Sequence, residues 1–304
     1  MIHCLPALPL SSWENTKKTL HLYFQIVGKI ALKLKPPKNH WWHITLHVTA
    51  TGLSTFSMPM DKIGGLFEIN FDFIRHQLQV RTCEGEIRSF ELMDGLSVAA
   101  FKKNLFRILS ALDIDVEIID KPYDLEPKKP FGEIEEFHFY DKAAVKDYWT
   151  ILRWVDSVFV DFSGGFYGKQ CPVHLYWHHM DLAVTRFSGK KGPEMDASAK
   201  APDKDAYSHE VISFGFWAGD DVVREPAFYS YTYPSPEGID KEKLIPDYAE
   251  WVDSNGSPMA FLSYNKLQKE DDPNQVLLSF LNSAYNAGAK RAGWDIEGLN
   301  YKPF

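Results

Sequence analysis

The chain has 304 residues, 45% of them apolar and 24% charged, which excludes a disordered, collagen-like or coiled-coil protein. A net charge of −8 argues against general nucleic-acid binding, whose footprint is a basic patch or stripe. The 14% aromatic content (21 Phe, 14 Tyr and 9 Trp) is high enough to fill a core and leave aromatic surface for a pocket.

Taken in chain order, Met1 to Leu10 carries Pro6 and Pro9 and no basic region, unlike a secretory signal. No run approaches 18 apolar residues, so no membrane span is expected. Three scattered cysteines, Cys4, Cys83 and Cys171, suit neither a disulfide framework nor a cysteine-pair zinc site, and reduced, cytoplasmic thiols are the expectation. Ser11 or Ser12 caps a helix whose Leu20, Tyr23, Val27, Ile30 and Leu34 form one apolar stripe, stopped by Pro36-Pro37. Strands are predicted at 41–50, 53–59, 66–74, 77–83 and 86–92, then a helix after Ser97. Residues 121–140, rich in Pro, Lys and Glu at their start, read as a linker between units at 1–120 and 141–304, which together form one globular body. Asp141 caps the next helix. Strands follow near 171–187, 208–217, 227–233 and 259–264, and Asp272-Pro273 opens the last long helix. Residues 188–206 form a loop that is a solvated connection or a lid.

Sliding the chain by 136 residues lays 13–49 over 149–185 with nine identities, including Trp13/Trp149, Gly28/Gly164, Trp41/Trp177 and His43/His179. Chance gives roughly two or three. The expected fold is therefore α+β: a duplicated α–β(4–5)–α unit, its mainly antiparallel sheet carrying helices on one face. Alternation along the strands turns Trp41, His43, Trp177, His179 and Asp181 away from the helices, so a shared aromatic cleft is one outcome and a solvated sheet face the other.

Several motifs fail on spacing or geometry. His209-Glu210-Val211-Ile212-Ser213 lacks the second histidine of the helical zinc motif, and Ser208-His209-Glu210 places triad residue types on neighbouring strand positions that point apart. A metal would need ligands from different strands, and His40, His43, His174 and His209 are the candidates for one divalent ion. Cys171 has only Lys169 nearby to activate it and reads as structural.

The segments Asn39-His40-Trp41-Trp42-His43, Pro172-Val173-His174, Asp181 to Gly189 and Tyr207 to Ser213 resemble an uncharacterised, mainly bacterial family of unknown function. The resemblance covers nearly the whole chain and brings no activity with it. His40, His43, His174, Asp181, Arg186, His209 and Glu210 match the family pattern, whereas His47, His178 and His179 depart from it. The leading expectation is an enzyme acting on a small organic substrate. His43, His209 or Glu210 supplies acid–base or metal chemistry, Asp181 orients a histidine, Arg186 holds an anionic group, and Trp41, Trp177 and Trp217 wall the cleft. The alternatives are a small-ligand-binding module without catalysis, or an interaction scaffold using Tyr229, Tyr231 and Tyr233.

Overall fold

Helix α1 (Leu10–Leu34) is the central strut of a computed structural model that describes residues 5–301; Cys4 lies outside them. It starts one residue before the expected caps, with Ser12 Oγ donating to Pro9 O at 2.8 Å, and stops short of Pro36-Pro37 as read from the sequence. Its stripe meets both neighbours: Tyr23 stacks on Phe101 at 4.0 Å and Phe24 meets Phe71 edge-on at 5.0 Å. The later helices begin at the caps their sequences advertise. Ser97 accepts from Ala100 N at α2 (Val98–Ala111), and Asp141 from Ala143 N and Ala144 N at α3 (Lys142–Gly164). After the short α4 (Ala201–Ala206) and α5 (Tyr264–Leu267), Asp272 caps α6 (Pro273–Arg291) with Pro273 at its start, and α7 (Ile296–Leu299) closes the chain.

Among the described residues, twelve strands form two antiparallel sheets. The first runs β1 (His47–Val48), β2 (Gly52–Ser54), β4 (Leu66–Asp72), β5 (Gln77–Thr82), β6 (Ile87–Glu91), with β3 (Met58–Pro59) also on β4. The second contains β7 (His174–Tyr176), β8 (Asp181–Lys191), β9 (His209–Trp217), β10 (Ala227–Tyr233), β11 (Glu250–Ser254) and β12 (Ser257–Ser263), in spatial order β11-β12-β10-β9-β8-β7. Their edges are stitched together where Leu46 and Leu175 exchange both backbone hydrogen bonds, at 2.9 and 2.7 Å. The antiparallel α+β class is thus as expected. The repeat is not supported pair by pair: Gly28 lies inside α1 whereas Gly164 ends α3, and Trp41 sits in a 3-10 turn whereas Trp177 sits in a hairpin turn.

Two strand expectations fail for one reason. Residues 41–46 are not a strand, because His40 and Trp41 both adopt the left-handed conformation (φ 56° and 61°) within a 3-10 turn at Asn39–Trp41. Residues 171–187 are a hairpin, broken at 177–180 by a turn in which Met180 has φ 59°. Neither Trp41 nor Met180 is a residue that announces a left-handed turn, a role Gly and Asn usually fill. The segment 121–140 is docked rather than loose: Phe131 and Ile134 are fully buried, and Ala99 N donates to Ile134 O. No helix among the described residues is long and apolar enough to cross a membrane.

Candidate functional site

The face of the second sheet turned away from α3 and α6 follows from strand register. Tyr176, Asp181 and Trp217 stand in one cross-strand row, then His174, Ala183, Gly215, Tyr229 and Phe261, then Thr185, Ser213 and Tyr231, then Phe187, Val211 and Tyr233. The small residues Ala183 and Gly215 leave the middle of this face low, and the ground around them, between Asp181, Trp217 and Tyr229, is here called the bay. Tyr229 fills part of it: a Cβ on Gly215 would lie 2.3 Å from Tyr229 Cζ, so the ring lies over the glycine and reaches across the sheet. Its hydroxyl donates to Asp181 Oδ2 at 2.7 Å.

Asp181 is consequently a tethered and buried carboxyl. Burial raises its pKa, and the Tyr229 bond only partly opposes that. Its second oxygen, Oδ1, is enclosed and has no partner, and the same is true of Trp217 Nε1 on the opposing residue. Around them, Trp217 packs on Tyr229 and Phe261 at 5.7 and 6.1 Å, and Tyr229 stacks on Tyr231 at 6.0 Å. Burial holds the Tyr229 and Tyr231 phenols well above their ordinary range.

A cover of three pieces closes one end of the bay. Tyr207, just after α4, donates to Tyr231 OH at 3.4 Å and packs on Tyr233 at 4.7 Å. The left-handed pair His40-Trp41 grips α4: Trp41 Nε1 donates to Pro202 O, and His40 Nδ1 donates to Asp205 O, both at 3.1 Å. Tyr176 OH donates to His40 O at 3.4 Å and ties this clamp to the sheet. On the far ring nitrogen, Lys169 Nζ donates to His40 Nε2 at 2.8 Å, so His40 is held neutral with both nitrogens engaged. Burial, then the Lys169 charge, lowers its pKa. Lys169 itself rests over the Phe187 and Trp42 rings at 4.5 and 5.4 Å.

His209 stands beside this clamp, its ring 5.5 Å from that of His40. Ser208 Oγ donates to Asp205 O at 2.8 Å, so it accepts from His209 Nδ1 at 3.0 Å and leaves His209 Nε2 as the basic nitrogen.

The other sequence candidates do not join His40 and His209. Glu210 accepts from Ser188 Oγ at 2.8 Å and points away from His209, as neighbouring strand residues must. His43 stacks on Trp41, and its Nδ1 accepts from Lys38 N. His174 is fully enclosed between Tyr176 and His47, with neither ring nitrogen partnered and its pKa pushed down to about 3 by burial. The set His40, His43, His174 and His209 therefore does not converge, and no group of three or more His, Cys, Asp or Glu among the described residues is placed to hold a metal. Trp177 lies under α1 rather than in the bay, against Gly28, where a Cβ would come within 2.2 Å of its ring. His179 is turned to solvent within the hairpin turn. Arg186 points to the opposite side of the sheet, into the aromatic layer beneath α3 and α6. Burial pushes the Cys171 thiol up to about 12, which fits its structural role as acceptor for Thr185 N.

Sequence reasoning missed Lys169, Tyr176 and Tyr207. Lys169 follows glycines that read as a helix end, and Tyr176 carries an even number on a strand whose expected face was set by odd ones. Tyr229, Tyr231 and Tyr233, expected as an open contact surface, are instead half-buried, the first two with hydroxyls bonded across the bay.

Neither a curated protein nor a solved structure matches the chain. A family model described only as a family of unknown function, DUF5996, matches residues 5–301. The chain belongs to that family.

Proposed function

We propose that this protein binds a small organic molecule in the bay around Asp181, Trp217 and Tyr229. One observation carries the reading: Asp181 Oδ1 and Trp217 Nε1, on directly opposed residues, are both enclosed and both unpartnered. Leaving each buried group unpaired costs about 1–3 kcal/mol. An acceptor and a donor on opposed residues suit a ligand edge with one N–H and one carbonyl, as in an amide, lactam or heteroaromatic amide. Trp217, Tyr229 and Phe261 supply the apolar walls such a planar molecule needs.

The test is a panel of neutral heteroaromatic amides followed by ligand-observed NMR. Binding to the wild-type chain, lost in both Asp181→Asn and Trp217→Phe, is the expected result. A hit list that these variants leave unchanged overturns the reading.

A further inference from the structure

On the far side of the sheet from the bay, a separate cavity of about 380 Å³ opens between the end of α3, α6 and the chain at Asn300. Its floor is Arg186. The side chain is 2% exposed, yet no carboxylate lies within ion-pair distance among the described residues. The guanidinium is held between the rings of Phe162, Tyr285 and Phe166, at 3.5, 4.6 and 4.8 Å. Nη2 donates to Phe162 O at 2.5 Å, whereas Nε is enclosed with no acceptor. Burial brings its pKa down to about 9. A guanidinium carries five N–H donors and stays charged near neutrality, and a buried charge lacking a counter-charge is costly.

The second unsatisfied group in the same cavity is the Tyr285 hydroxyl, on a residue 2% exposed, enclosed and unpartnered. Arg186 and Tyr285 thus both line this space, and each carries a buried donor, Nε and OH, that has no acceptor. Asn282, whose amide nitrogen donates to Leu278 O, Asn286 and Asn300 add polar residues to its lining. Asp161 at the rim disfavours a second negative charge there.

We propose that this cavity is a binding site for a compact oxyanion, the carboxylate or phosphate head of a small organic acid, held by Arg186 and Tyr285. The oxyanion supplies the acceptors that the guanidinium lacks and meets the planar fork of donors for which arginine is suited. The site is independent of the Asp181 bay, from which it is separated by the sheet.

Inorganic phosphate and acetate are titrated separately into the full chain at constant ionic strength, with chloride as the control, and followed by calorimetry. Saturable one-to-one binding of either anion is expected. Phosphate alone identifies a phosphate head, acetate alone a carboxylate, and both a general oxyanion site. Asn286→Asp, an exposed rim change compatible with folding, is expected to weaken binding at least tenfold, and Arg186→Gln to abolish it. Should Arg186→Gln fail to fold, Asn286→Asp decides. Asp181→Asn is expected to leave the affinity unchanged. No binding beyond chloride, or equal affinity in Asn286→Asp, overturns the proposal.

Discussion

Tyr229 reaches across the sheet to donate its hydroxyl to Asp181 at 2.7 Å, and it does so over a residue that has no side chain, Gly215. The bay depends on that crossing: without it Asp181 keeps a buried carboxyl with neither oxygen partnered.

Gly215→Ala is therefore expected to displace the Tyr229 ring, since the new methyl carbon would lie 2.3 Å from Cζ. Overpacking of this kind costs about 1–3 kcal/mol. Urea unfolding should report that loss, and ligand binding in the bay should fall with it. A variant as stable as wild type would mean the ring moves aside freely.

Trp41→Phe removes the donor to Pro202 O while keeping an aromatic ring on His43. A net loss of about 1 kcal/mol is expected. Amide hydrogen exchange should speed up in 201–207 while β9 and β10 stay protected. Unchanged exchange in that segment would show that the clamp does not hold α4.

Stability should decline as pH falls from about 6.5 towards 4. His21, His174 and His178 are pushed down to about 3 and His47 to about 4, in each case chiefly by burial. Above pH 6.5 these rings are neutral in both states. Below it the unfolded chain takes up protons that the folded chain refuses. Asp156, raised to about 6, and Asp181 act in the opposite sense, because burial makes the folded state hold their protons more tightly. His40, His43 and His76 are lowered in the same way and Asp147 is raised, so seven histidines against three carboxyls leave a net loss. Urea midpoints at pH 7 and pH 5 check this, and an equal or higher midpoint at pH 5 would contradict it.

Alkylation of the native protein, mapped by peptide mass, should label exposed Cys83 and spare Cys171. Thiolate is the reactive form, and a thiol pushed to about 12 in the core supplies almost none at neutral pH. Rapid labelling of Cys171 would show that the β8 edge opens.

The helices were legible because their signals are local. Ser97, Asp141 and Asp272 cap where an oxygen can meet the first free N–H groups, and the 3–4 spacing of Tyr23 and Val27 marks a buried stripe. The site was only half legible because its geometry depends on turns the sequence conceals. Reading His43, Trp177 and Asp181 as sharing one face required unbroken strands, and the left-handed backbone at His40, Trp41 and Met180 breaks both. Past each break the alternation restarts, so Asp181 faces away from the helices as its alternation predicts but Trp177 does not. Lys169 and Tyr176 join His40 across more than a hundred residues of chain, a proximity no local pattern encodes.

The most direct test of the central claim is the mass of the untagged protein under native and denaturing conditions. A small organic mass carried by the native wild-type chain, released on denaturation and absent from Trp217→Phe, is the predicted result. A native wild-type mass equal to that of the bare polypeptide, with no neutral amide binding in the bay, would contradict it.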